Sequence, residues 1–152
     1  MSIMWQYLDK RSATVSAIKD LDNMQFIIDH TDEDISQVKE HMIGIRSPGY
    51  DGMLKTHNPN AAEDRILTDI ERIDLLKERY RQAAEYMDWF LPAWEELSED
   101  ERYVLETFYR NNEYGSGSVM DICYHFDIEK NSAYKRKNRA LDKLTLLLYG
   151  KC

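Results

Sequence analysis

The chain predicts an all-α protein: a helical hairpin or coiled-coil region over residues 1–96, followed by a smaller helical domain over residues 97–152. Three observations carry that prediction. Only six Gly and three Pro interrupt 152 residues. Apolar residues recur three or four apart through most of the chain, the period of a helix with one buried face. Two of these runs open on a helix-start signal, Asn60 or Ser98 followed three residues on by Glu.

The elements follow in order. Residues 2–30 read as a first helix, with an uneven apolar stripe of Trp5, Leu8, Val15, Ile18, Leu21 and Ile28. Thr31 marks a break, after which Ile35, Val38, Met42 and Ile45 restore a clear helical face. RSPGYDGMLKTHNPN, with Pro48, Gly49, Gly52 and Pro59, is the one long loop, about residues 46–60. Helix resumes near Ala61, capped by Asn60 with Glu63 placed to reach back to the cap. Ile66, Ile70, Ile73, Tyr80, Ala84, Met87, Leu91 and Trp94 then alternate four and three apart, with Lys77 interrupting the series. This heptad-like spacing predicts packing along another helix, either the first one folded back or a second copy of the chain. Pro92 predicts a kink or an end near Asp88 to Leu91.

LSEDERYVLETFYR starts a new helix, with Ser98 as cap, Glu101 completing a capping box and Leu97 as staple. Its inward face is Val104, Leu105 and Phe108. After the connector NNEYGSGS, Ser118 is placed to cap a short helix that buries Val119, Ile122, Cys123 and Phe126. A turn at Asp127 and Ile128 leads into a last helix, whose apolar residues are Ala133, Ala140, Leu141, Leu144, Leu147 and Leu148.

Composition narrows the function. The hydrophobic fraction of 43% suffices for a core and 32% charge for a solvated surface. Net charge is -8, but Ile128 to Cys152 holds seven Lys/Arg against two Asp/Glu, while residues 1–127 hold 13 against 26. Ligands respond to the local field, so this polarity permits nucleic-acid binding at the C-terminal end and argues against it elsewhere. Two cysteines, Cys123 and Cys152, make no disulfide framework. No signal peptide and no run of about 18 apolar residues is present, so the expectation is a cytoplasmic, nucleoid-associated protein without a membrane partner.

Signals for chemistry are weak. Asp29, Asp32 and Asp34 lack the Gly and terminal Glu of a calcium loop. Cys123 and His125 have no second pair at zinc-ligand spacing. His30, His41 and His57 are scattered, and there is no phosphate-binding Gly loop. The expectation is a non-enzyme with no catalytic residues, no metal and no cofactor.

Helix, short connector, short helix, tight turn and basic helix together describe a helix-turn-helix unit. Its second helix must present donors and positive charge to the major groove, while small inward residues let it cross its neighbour closely. Ala133 is small and inward-facing, with Lys130, Asn131, Ser132, Tyr134 and Lys135 around it. Asn pairs with adenine and Lys with guanine, and Lys or Arg further along holds phosphates. A solvated cationic face fits the same composition, because Lys and Arg suit the C-terminal half of any helix.

Leu97 to Leu148, about a third of the chain, resembles region 4 of bacterial sigma factors. LSEDERYVLETFY looks like the first helix of that region, FDI like its turn, and RALDKL like its basic-Ala-Leu-x-Lys/Arg-Leu ending. The resemblance implies recognition of a promoter element by the helix from Lys130. It implies base-edge contacts from Lys130, Asn131, Tyr134 and Lys135, with Ser132 beside them and Arg139 on a phosphate. Arg136, Lys137 and Lys143 would add phosphate attraction. It also implies a contact with RNA polymerase through the first helix and end segment.

The match departs from the family in three places. Glu106 and Phe108 stand where an Arg often grips phosphates, which lowers the expected electrostatic contribution. Glu129 replaces a Ser/Thr cap. Arg136 falls on the semi-buried side, where it packs with its head extended outward. Nothing upstream resembles the strand-melting region of a complete sigma factor: YMDWFLPAW is aromatic but lacks surrounding Lys and Arg, so its helical spacing reads as core. The layout also resembles small phage-encoded transcriptional regulators.

The expected function is therefore sequence-specific binding of double-stranded DNA in transcriptional control of phage or mobile-element genes, with RNA polymerase and a homodimer through the N-terminal helices as further partners. Two rivals are a small terminase-like packaging protein and a module that keeps the fold but binds only protein.

Overall fold

The computed structural model describes residues 8–46, 60–110 and 117–150. Every regular element among them is helical, so the chain is all-α as its periodicity predicts. The elements are α1 (Lys10–Arg46), α2 (Ala61–Glu95), α3 (Glu99–Leu105), α4 (Gly117–Phe126) and α5 (Lys130–Tyr149). A π-helical turn, Glu106–Arg110, continues α3. Trp5 and the rest of residues 1–7, the loop over 47–59 and the connector at 111–116 lie outside the described residues.

The break expected at Thr31 is overturned, and of the kink or end expected near Pro92 the end does not occur. Thr31 does not break α1: it is buried and donates its hydroxyl to the carbonyl of Ile27, which satisfies the polar group inside the helix. Pro92 does not end α2, which runs on to Glu95. The ring removes one N–H close to the helix end, and the Glu96 N–H donates to the Pro92 carbonyl at 3.3 Å, keeping the last turn closed.

The described part of α1 also begins with a cap. Asp9 accepts from the Ser12 N–H at 3.1 Å and from the Ser12 hydroxyl at 2.9 Å. Those bonds, the backbone one foremost, hold its carboxyl below the usual carboxylate range. Ser118 proves to lie inside α4, buried, one residue after the helix begins at Gly117.

The chain forms two compact units, Met24–Glu85 and Met1–Asn23 with Tyr86–Cys152. The first is a helical hairpin of the later part of α1 and the earlier part of α2. Val38 and Ile73 are buried there, and the buried carboxylate of Asp69 bonds His41 Nδ1 at 2.6 Å. Its core is thin, because Ile70 and Tyr80 of the heptad-like series remain exposed, as do Leu67 and Leu75.

The second unit gathers the start of α1 and the end of α2 with α3, α4 and α5. Ile18, Phe90, Leu105, Leu141 and Leu144 are fully buried in it. Of the aromatics of YMDWFLPAW, expected as core, Phe90 and Trp94 are buried, Tyr86 is half-buried and Trp89 is exposed. Tyr86 stacks on Phe90 at 5.2 Å, Phe90 on Trp94 at 5.5 Å, and Trp89 meets Tyr149 edge-on at 5.4 Å. The Tyr86 hydroxyl donates to the Ala17 carbonyl, and burial first, then Asp20, raises its pKa well above the ordinary phenol value.

Candidate nucleic-acid interface

The basic helix α5 is positioned by α3 and α4. Ser98 begins α3 in extended conformation and accepts from the Glu101 N–H at 3.2 Å, while its hydroxyl donates to Glu101 Oε1 at 3.1 Å. Val104 of α3, Val119 and Ile122 of α4 and Ala133 of α5 form one cluster, flanked by Tyr103, Phe108, Cys123, Phe126 and Ile128. Ala133 has 0% exposure. A larger side chain there would force α5 off its neighbours, so the small residue sets how closely the helices approach.

The turn between α4 and α5 is a helix-ending motif with an unusual residue. Asp127 takes the left-handed conformation, φ 51°, and the Ile128 N–H donates to the Cys123 carbonyl at 3.1 Å. This is the six-residue closure of a Schellman motif, with Asp where Gly is usual and with Ile128 and Cys123 against the same cluster. Glu129 follows in extended conformation and makes no side-chain cap bond, so α5 starts with its first N–H groups uncapped by a side chain.

The nine candidate DNA-contacting residues fall into two groups. At about 100° per residue, Asn131, Ser132, Lys135, Arg136, Arg139 and Lys143 share the side of α5 turned away from buried Leu141 and Leu144. All six are exposed. Lys130 and Tyr134 are also exposed but stand on the first turns of the inner side, and Lys137 is half-buried.

Several of these side chains already have partners. The Arg136 guanidinium lies over the Phe126 ring, 4.3 Å from its centroid, so it packs as expected, but from the exposed side of α5 and not from a semi-buried one. Lys137 Nζ sits 5.3 Å from the Phe108 centroid and 5.7 Å from that of Tyr134. Burial, with the nearby Arg11 charge, lowers its pKa. Lys143 Nζ pairs with Glu101 Oε1 at 3.1 Å.

Sequence reasoning missed Arg11. From α1 it donates to Asn138 Oδ1 at 2.7 Å and pairs with Asp142 Oδ1 at 3.5 Å. It thereby sets a further cation beside α5 and offsets that helix's one carboxylate, Asp142. No local pattern links residues 127 positions apart. Arg110, in the π turn, pairs with Asp22 of α1 and, at 3.0 Å, with Glu106. The cation next to the Glu106 position is thus engaged within the protein.

Among the described residues no helix is long and apolar enough to cross a membrane. No protein-family model matches the chain, and neither the curated proteins nor the solved structures hold a match to it.

Proposed function

We propose that the protein binds double-stranded DNA sequence-specifically as a transcriptional regulator, with α4 and α5 acting as a helix-turn-helix like that of sigma region 4. The observation that supports this best is the exposed face of α5. Asn131, Ser132 and Lys135 stand where base edges would be read, and Arg139 and Lys143 one to two turns further on where phosphates would be held. The buried residues beneath, Ala133, Ala140, Leu141 and Leu144, fix that face in one orientation. Arg11 strengthens the local positive field by pairing with Asp142.

Salt-titrated binding to duplex DNA tests the proposal. Wild-type affinity should fall steeply as salt rises, Arg139→Ala should flatten the log–log slope by about one unit, and Lys135→Ala should weaken binding and relax the sequence preference. No affinity even at low salt rejects the proposal.

One further observation favours a protein partner as well. Met120 and Tyr124, one turn apart on α4, are exposed, Tyr124 to 81%. They offer a protein partner an apolar contact on α4, apart from the first helix (α3) and end segment through which the resemblance implies a contact with RNA polymerase. Exposed Ile70 and Tyr80 of the heptad-like series are where a second copy would pack in a homodimer.

A further inference from the structure

A concave site of about 390 Å³ opens between α3 and α5, lined by Glu101, Val104, Arg136, Arg139, Ala140 and Lys143. Its α5 wall places three cations along one helix face, at spacings of three and four residues. Its α3 wall brings a single carboxylate against them. Glu101 Oε1 contacts both Lys143 Nζ and the Ser98 hydroxyl at 3.1 Å, while Oε2 is buried and has no hydrogen-bond partner. Three cations facing one carboxylate leave the site net positive, so it suits an anionic group. Yet the carboxylate already occupies the ammonium that such a group would need.

We infer that this cavity receives a backbone phosphate of the bound duplex, and that Glu101 is a built-in competitor which sets how tightly and how salt-sensitively that phosphate is held. The inference rests on the DNA-binding reading above and adds its regulation. A phosphodiester has no donor to offer the unpartnered Oε2, so it gains nothing from Glu101 and is repelled by it. Binding requires either that Lys143 exchange the carboxylate for the phosphate or that Arg139 and Arg136 hold the phosphate without it. In both cases the negative charge on α3 subtracts from the attraction that α5 supplies. Arg136 contributes from its stack on Phe126, which leaves the guanidinium edge at the cavity.

The discriminating experiment is a double-mutant cycle between Glu101 and Lys143, read by salt-titrated duplex binding with thermal unfolding of each variant as control. Glu101→Gln is nearly isosteric and retains the cap, because Ser98 accepts from the backbone N–H of residue 101. It should tighten binding roughly threefold to tenfold at low salt and steepen the log–log slope by about one unit. Lys143→Met should weaken wild-type binding less than it weakens the Glu101→Gln variant, because in the wild type Glu101 already pairs with part of that ammonium charge, and it should remove most of the Glu101→Gln gain. Wild type binding with a normal salt slope while folded Glu101→Gln binds no more tightly overturns the competitor role and leaves the DNA-binding reading standing. If neither wild type nor Glu101→Gln binds duplex at low salt, both are rejected. Should Glu101→Gln melt at a lower temperature, Lys143→Met against Lys143→Glu serves instead. The added negative charge must then weaken binding further than the neutral change, and equal effects would count against the cavity as a phosphate site.

Discussion

At the level of single residues, the second unit is organised around polar groups that packing obliges to find partners. Thr14 and Thr145 are both fully buried, their hydroxyl oxygens 3.0 Å apart. Thr14 also lies 2.8 Å from the Lys10 carbonyl and Thr145 2.7 Å from that of Leu141. Three short contacts thus share two hydroxyl protons, so one contact is always made without a proton of its own. Thr145→Val should therefore cost only about 1 kcal/mol in chemical denaturation, and Thr14→Val a similar amount. The double variant should cost less than their sum, since it leaves no hydroxyl facing an apolar neighbour. Strict additivity would show that the two hydroxyls do not interact. Neither residue belonged to any apolar stripe, and a Thr in a helical run gives no hint of the partner it will meet.

Among the elements, the connection into α5 is where local sequence and local conformation disagree. Asp127 holds a left-handed backbone that costs a non-glycine residue, and Glu129 sits at a cap position without capping. Asp127→Gly should stabilise the second unit by roughly 0.5–1 kcal/mol by removing that strain. A loss of stability in urea unfolding would mean that the Asp side chain supports the turn. The helices themselves were largely legible, because a buried face repeats at the helical period whatever it packs against. Their ends were less so. The stripe that begins at Trp5 and Leu8 masked the capping function of Asp9, which the Ser12 bonds make plain. Thr31 and Pro92 read as breakers because propensity treats them alone. In the structure the Thr31 hydroxyl bonds back to Ile27, and Pro92 lies too near the end of α2 to cost more than its last turns. On α5 the exposed face could be read from Ala133, Ala140, Leu141 and Leu144. The engagement of Lys137 by Phe108 and of Lys143 by Glu101 could not, because both depend on residues brought in from α3 and its π turn.

For the molecule as a whole, charge is segregated. Residues 1–127 carry 13 Lys/Arg and 26 Asp/Glu, and Ile128 to Cys152 carries seven and two. An acidic body disfavours approach to a polyanion except through α5 and the residues that flank it. Within the second unit that rule is modified at two points. Arg11 adds positive charge beside Asn138 and Asp142, and Glu101 sets negative charge beside Arg139 and Lys143. The unit thus holds both a supplement to the basic face and a brake on it. On the proposed DNA binding, affinity for duplex should be modest at physiological salt and rise sharply as salt is lowered.

Whether α5 presents the proposed DNA-reading face is tested most directly by a residue-resolved map of the contact. Backbone amide chemical shifts would be followed as a short duplex is added at low salt. Shifts should concentrate from Lys130 to Lys143 and at Arg11, and diminish as salt is raised. Shifts confined to the hairpin of Met24–Glu85, or to Met120 and Tyr124 on α4, would contradict it.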